Sequence, residues 1–278
     1  MTRAALDACE GRHLIREMEK PLRLRIGTLN TWAKPRFDEI ARWAADRRLD
    51  LLTLQEVDRN WSERTGWADV ASEIAQRLDW HYAYAPAIKI TTPGHGVREY
   101  GNAIFSRWPI DGSTAHELGE GIAWNEQDHS TEPRVALETL IRTPAGPLRF
   151  IGTHLANTQH LHANRISQIQ GTRLARLVWE GRAAGPTILA GDLNATPERP
   201  EVGMLETILR EVDPRRLPTW PTRAIQYRDW SEPAGPSHKI DYIFASPELR
   251  VIEGGPDESY PHSDHLPMTA TIEIGMSA

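Results

Sequence analysis

The sequence predicts a layered α/β (α+β) sandwich. Short apolar runs of strand length recur from Leu22 to Ile274, segments with helical spacing fall between them, and a hairpin signal breaks any strict strand–helix alternation. A Rossmann fold or a TIM barrel would keep that alternation throughout.

In chain order, Leu22, Leu24 and Ile26 alternate with Arg23 and Arg25, as in a strand running from Pro21 to Asn30. Phe37, Ile40, Ala41 and Ala44 then recur at helical spacing. Leu51, Leu52 and Leu54 suit a strand buried on both faces, ending at Gln55-Glu56. Val70, Ala71, Ile74 and Leu78 mark a second helix, and Ala103, Ile104 and Phe105 another buried strand. Val135, Leu137, Thr139 and Ile141 alternate into the turn signal around Pro144 and Gly146, and a partner strand follows from Leu148 to Leu155. Ile166, Ile169, Leu174 and Leu177 give a third helix. Ile188, Leu189 and Ala190 lead into Gly191-Asp192, and Val202, Leu205 and Ile208 predict a fourth helix. Ile240 to Phe244 and Met268 to Ile274 read as the last strands. Residues 91–99, 119–132 and 215–238 are polar or rich in Gly and Pro and read as long loops, which often frame enzyme sites. No low-complexity linker interrupts residues 21–278, which read as one domain behind an N-terminal extension, residues 1–20.

A chain of 278 residues, 40% of them hydrophobic, can bury a substantial core without disulfides, and Cys9 as the only cysteine could form none within the chain. Charges scattered from Arg3 to Lys20 leave neither a signal peptide nor a membrane anchor in view, so the expected location is cytoplasmic. The net charge of −6 disfavours duplex DNA as a partner, because affinity for a polyanion comes largely from basic surface and counterion release. Metal ions among the carboxylates would offset part of that charge.

Polar residues able to bind metal or move protons stand repeatedly where apolar strands end. Asn30 closes the first strand and Glu56 the second, and His154 falls near the end of Phe150-Ile-Gly-Thr-His154. Asp192 and Asn194 follow Ile188 to Gly191, Asp241 interrupts Ile240 and Tyr242, and Asp264-His265 precedes the final strand. Ligand sites of α/β proteins commonly lie at such ends. Taken singly, each has an ordinary explanation: a turn former, a helix cap, a structural histidine or a salt bridge. Those explanations would have to hold at every place at once. The set instead matches hydrolysis of a phosphate ester, which needs a divalent cation, an oriented water and donors for a negatively charged transition state. Hard Mg²⁺ prefers carboxylate and amide oxygens, which suits Glu56 and Asp264, and the chain has no cysteine cluster or HExxH zinc motif.

The segments Gly27-Thr-Leu-Asn30, Leu54-Gln-Glu56, Gly101-Asn-Ala-Ile-Phe-Ser106, Gly152-Thr-His154, Gly191-Asp-Leu-Asn194, Lys239-Ile-Asp241-Tyr-Ile and Ser263-Asp-His265 resemble, in order, the motifs of the endonuclease/exonuclease/phosphatase superfamily, the DNase I-like fold. They span nearly the whole chain. The resemblance implies a four-layered sandwich of two packed mixed β-sheets flanked by helices. It implies Mg²⁺, with Mn²⁺ as a substitute, on Glu56 with Asn30 and Asp264 close by. Asp192 would orient or deprotonate the attacking water, and Asn194 would help hold the phosphate. His265, oriented by Asp241, would contact the scissile phosphate, and His154 would stabilise developing charge or assist the leaving oxygen.

Leu54-Gln-Glu-Val-Asp58 differs from the Leu-Gln-Glu-Thr-Lys of exonuclease III-type abasic-site endonucleases, and no Trp-Cys-Asp-Arg motif of inositol polyphosphate 5-phosphatases precedes Asp241. Glu56-Val-Asp-Arg59 through Gly66 instead resembles bacterial metal-dependent hydrolases related to sphingomyelinase-like and glycolipid-anchor-related proteins. The expected function is therefore a divalent-metal-dependent phosphoesterase, a phosphodiesterase first. The alternatives are a nuclease acting on nucleic acid or a catalytically silent binding protein on the same fold. Asn102, Arg98 and Arg134 are the expected substrate contacts, with Arg59 and Arg64 as further cations, though each arginine also suits a surface salt bridge. Trp124, Trp220 and Trp230 either stack on substrate or anchor their loops.

Overall fold

The computed structural model describes residues 21–119, 132–157, 161, 164–226 and 230–275. The N-terminal extension and Trp124 lie outside the described residues. The chain opens with β1 (Leu22–Asn30), α1 (Phe37–Asp46), β2 (Leu51–Arg59), α2 (Val70–Leu78), β3 (His81–Thr92) and β4 (Gly96–Ser106). The second half comprises β5 (Ile110–Glu117), β6 (Val135–Thr143), β7 (Gly146–His154), α3 (Arg165–Gly181), β8 (Thr187–Asp192) and α4 (Pro200–Glu206). It closes with β9 (Arg210–Glu211), β10 (Ile225–Gln226), β11 (Ser231–Glu232), β12 (Asp241–Ala245), β13 (Arg250–Pro256) and β14 (Met268–Ile274).

One six-stranded sheet runs β13-β14-β1-β2-β4-β3 and the other β5-β6-β7-β8-β12-β9, while β10 and β11 pair separately. The pairs β1–β2 and β7–β8 are parallel, bridged by α1 and α3 respectively, within otherwise antiparallel sheets. The sheets pack face to face through Leu24, Ile26 and Leu51 on one side and Leu137, Phe150, Ile188 and Ile243 on the other. Ile40, Trp43, Val70 and Ile74 of α1 and α2 cover the outer face of the first sheet over Leu52, Leu54 and Phe105. Leu174, Val178, Val202 and Leu205 of α3 and α4 cover the second over Ile151, Leu189 and Phe244. The result is a four-layered α/β/β/α sandwich. At Gly152 the sheets approach so closely that an added Cβ would meet the Thr53 hydroxyl of the opposite sheet.

Local chemistry sets the helix starts. The Asp69 carboxylate accepts from the Ser72 amide at the start of α2, and Asn164 and Ser167 form a reciprocal capping box before α3. Among the described residues no helix is long and apolar enough to cross a membrane.

Two expectations are corrected. Residues 91–99 form the outer part of the β3–β4 hairpin, in which Lys89 pairs with Glu99 and Thr92 with Gly96. The hairpin reaches beyond the packed sheet, so its ladder is held by backbone hydrogen bonds and ion pairs such as Lys89–Glu99 (3.0 Å), with no apolar alternation to betray it. The fourth helix ends at Glu206, so Ile208 belongs to the turn that follows.

Candidate active site

The two parallel strand pairs aim their carboxyl ends at one place. Asn30 ends β1 and Glu56 lies near the end of β2, while His154 and Asp192 face each other at the ends of β7 and β8. Asp241, the first residue of β12, pairs in register with Asp192. Asp264 and His265 arrive from the loop before β14.

Glu56 stands at a β-bulge, where the β2–β4 register shifts between Leu54 and Val57. Its φ of 59° is left-handed, an uncommon conformation for glutamate that re-aims a side chain out of the ladder. The Thr31 hydroxyl lies 3.0 Å from the carbonyls of both Gln55 and Glu56 and braces this turn. Gly191, with φ of 150°, passes so close to the Thr153 carbonyl that a Cβ could not fit, which places Asp192 and His154 side by side.

Asn30 bridges the two sheets: its Nδ2 donates to Glu56 Oε1 (3.1 Å) and to Asp192 Oδ2 (3.0 Å). Asp192 Oδ1 accepts from the Asn194 amide at 2.8 Å. His265 Nδ1 lies 2.9 Å from Asp241 Oδ2, and its Nε2 lies 3.8 Å from Asp192 Oδ2. On the other flank, Arg134 donates from Nη1 to His154 Nδ1 at 2.9 Å.

Sequence reading missed Thr219 and left Trp220 as either a stacking or an anchoring residue. Thr219 Oγ1 donates to Asp241 Oδ2 (2.7 Å), and the Trp220 indole N–H donates to Asp264 Oδ2 (3.3 Å). Backbone bonds from Leu266 to Thr219 and from Thr222 to Asp264 fasten this stretch to the Asp264-His265 loop. Thr219 lies in a polar loop with no pattern of its own, so nothing in the sequence marked it. Trp220 is an anchor, packed against His265 and stacked on Trp230 with centroids 5.9 Å apart.

Asn30, Glu56, Arg134, His154, Asp192, Asn194, Trp220 and Asp264 line a cavity of about 530 Å³ that also meets Trp32, Trp61, Tyr100 and Arg64, while Asp241, His265 and Thr219 are not part of its lining. Of the expected substrate contacts, Arg134 lines it. Asn102 and Arg98 do not: Asn102 Nδ2 donates to the Val135 carbonyl, and Arg98 donates to the Trp61 carbonyl at 2.6 Å. Arg64 is held by both oxygens of Asp58, and Arg59 is paired with Asp69 and Glu99.

Burial and the Asp241 charge push the Asp192 carboxyl up to about 7. Burial raises Glu56 too, helped by repulsion from Asp264. Burial alone would lower His265, but Asp241, Asp264 and Asp192 outweigh it and hold the imidazole well above its usual range. Burial, the Arg134 guanidinium and the His265 charge push His154 well below its own. The site thus pairs one cationic with one neutral histidine.

The buried carboxylates of Asp192, Asp241 and Asp264 and the half-buried Glu56, against so few cations, leave room for a divalent ion. Glu56 and Asp264 repel each other, and their oxygens, with the Asn30 amide, are the hard donors that Mg²⁺ or Mn²⁺ takes. Asp192, Asp241 and His265 also bring ligand atoms within 4.8 Å of one another, a grouping compatible with a metal.

A family profile described as Endonuclease/Exonuclease/phosphatase matches residues 27–265. The chain belongs to this family. Within the endonuclease/exonuclease/phosphatase family it is 25% identical, over 91% of its length, to a Drosophila melanogaster protein named "Putative neutral sphingomyelinase", of which it spans 61%. The fold is shared with the endonuclease/exonuclease/phosphatase protein of Beutenbergia cavernae DSM 12333 (TM-score 0.66, 21% identity, 92% of this chain and 72% of that one). It is shared likewise with the mannosyl-6-phosphatase Bt3783 of Bacteroides thetaiotaomicron VPI-5482 (0.62, 17%, 90% and 99%) and with the catalytic domain of human Nocturnin (0.63, 22%, 91% and 93%). The chain is thus a member of a superfamily of phosphoester hydrolases.

Proposed function

We propose that this protein is a divalent-metal-dependent phosphodiesterase that cleaves a phosphate ester by attack of a water held at Asp192. The observation that carries the reading is the convergence of Asn30, Glu56, Asp192, Asp241, Asp264 and His265 from both sheets into one connected, mostly buried cluster beside a cavity. A divalent ion bound by Glu56 and Asp264, with Asn30 close by, would neutralise phosphate charge and act as a Lewis acid.

The chain's own residues supply the rest. Asp192, with a carboxyl that titrates at about 7, is matched to take a proton from water near neutrality. Asn30 orients it from one side and the Asn194 amide from the other. His265 is held as an imidazolium by Asp241 and stabilises the extra negative charge of the transition state. Asn194 and His154 offer further hydrogen bonds to the phosphate.

The mannosyl-6-phosphatase neighbour makes phosphomonoesters the second substrate class, and the sphingomyelinase name of the Drosophila relative favours diesters. Duplex DNA is the least favoured partner at a net charge of −6. A panel of aryl phosphodiesters and phosphomonoesters, phospholipids, single-stranded and duplex nucleic acids, assayed with Mg²⁺ and Mn²⁺, tests the reading. Turnover of a diester with little cleavage of duplex DNA is expected. Cleavage of duplex DNA above every other substrate would favour the nuclease, and no turnover with ligand binding retained would favour a silent binding protein.

A further inference from the structure

We propose that Lys34 and Arg223 form a second phosphate subsite at the cavity wall, so that the substrate is a small phosphoester carrying one phosphate group beyond the one cleaved. The inference rests on the phosphoesterase reading and narrows it. After Asn30 the chain makes a turn closed by the Lys34 amide donating to the Thr31 carbonyl at 3.1 Å. Both central residues, Trp32 and Ala33, have left-handed φ, 54° and 48°. Turns with that pattern ordinarily use Asn-Gly, and a bulky indole is among the residues least suited to it. The turn is tied to the site itself, because the Trp32 amide donates to Asn30 Oδ1 at 2.9 Å. An unfavourable backbone kept beside a functional residue directs attention to what it presents. It presents Trp32, Ala33 and Lys34 to the cavity.

Lys34 Nζ lies 3.6 Å from the centroid of the Trp32 ring, and the Arg223 guanidinium carbon lies 5.1 Å from the same centroid, so both charges crowd one ring. Arg223 belongs to the loop whose next residues, Ala224 to Gln226, also line the cavity, and its Nη2 donates to the Pro261 carbonyl at 2.8 Å. Among the described residues neither cation forms an ion pair with a carboxylate. The cations deeper in the cavity differ: Arg64 is held by both oxygens of Asp58, and Arg134 is paired with Glu132 at 2.7 Å.

Two like charges around one ring repel each other, and acids to pair with them are not scarce in a chain of net charge −6. Cation–π attraction at an exposed site is too weak to be the purpose of the grouping. The arrangement suits an anion that binds both cations at once. A phosphate, doubly charged and rich in acceptor oxygens, matches a guanidinium and an ammonium together better than a single carboxylate does. The scissile phosphate has separate partners in Asn194, His154 and His265, so this one is a second group on the same molecule.

The test is calorimetric binding of alkylphosphonates and alkane-α,ω-bisphosphonates, propane to hexane, to the full chain in excess Mg²⁺. Their carbon–phosphorus bonds preclude turnover. At least one bisphosphonate should bind about tenfold or more tightly than the monophosphonate of equal length, beyond the roughly twofold advantage of two identical ends. Added salt should shrink the gain. Lys34→Gln and Arg223→Gln should each cut that ratio several-fold, the double variant should bring it near the statistical value, and Lys34→Arg should restore it. Both side chains are exposed, so the variants should fold, as circular dichroism would confirm. No gain for any bisphosphonate, or a gain that survives in the double variant, would overturn the proposal. So would pull-down of wild type by phosphatidic acid vesicles with no gain for the soluble bisphosphonates, which would assign the two cations to a lipid surface. Binding of monophosphonates without that gain sinks this inference alone, whereas binding of neither series sinks the phosphoesterase reading with it. A bisphosphonate gain in a protein that hydrolyses no phosphoester would count against that reading and leave the subsite standing.

Discussion

His265 Nδ1 and Asp241 Oδ2 lie 2.9 Å apart, both side chains buried, although they come from segments 24 residues apart in the chain. The Thr219 hydroxyl shares the same carboxylate oxygen and fixes its orientation. Asp241→Asn should therefore lower kcat about a hundredfold with little change in KM, because ground-state contacts persist. The double variant with His265→Ala should cost little more than His265→Ala alone. Additive losses in that cycle would show that the pair does not act as a unit.

Asp192 carries the clearest link between function and stability. Its carboxyl titrates at 3.8 ordinarily and at about 7 in the fold, so the folded state holds the proton to higher pH than the unfolded chain. Stability is therefore lost as pH rises through that interval, and the penalty is complete above about 7. In metal-free protein at pH 8, Asp192→Asn should raise stability by about 1–3 kcal/mol in urea titrations while abolishing turnover. A destabilised variant, or one that keeps its activity, would count against Asp192 as a strained buried base.

Glu56→Gln keeps the shape of the side chain and removes its charge. Mg²⁺ affinity by calorimetry should fall at least about tenfold while circular dichroism stays unchanged. Unchanged affinity would move the metal elsewhere, for instance to the Asp192, Asp241 and His265 grouping.

Trp220→Phe removes the indole N–H that reaches Asp264 while keeping an aromatic ring against His265. The fold should persist, with Mg²⁺ binding weakened about tenfold. Trp220→Ala should in addition cost about 3–5 kcal/mol of stability, as for other buried aromatics. Equal metal affinity in wild type and Trp220→Phe would leave the indole with a packing role alone.

Much of this was legible in the sequence because strand ends announce themselves: an apolar run that stops at Asn30 or Asp192 places that side chain at the rim of a sheet. A layered sandwich followed from the mixed strand and helix spacing, and its four layers only from the family resemblance. What stayed hidden depends on geometry that periodicity does not encode. The bulge that turns Glu56 is one extra residue in β2, without glycine to mark it. Arg98 read as a substrate contact or a surface salt bridge, yet its guanidinium donates to the Trp61 carbonyl and lies near the Trp61 and Trp67 rings. β5 escaped notice because this edge strand is exposed along most of its length and needs no apolar alternation.

The most direct measurement is turnover of an aryl phosphodiester by protein stripped with EDTA and then resupplied with Mg²⁺ or Mn²⁺, run beside Asp192→Asn. The account predicts loss of hydrolysis on chelation, recovery with either ion, and no recovery in the variant. Undiminished hydrolysis after thorough chelation, or full activity in Asp192→Asn, would contradict it.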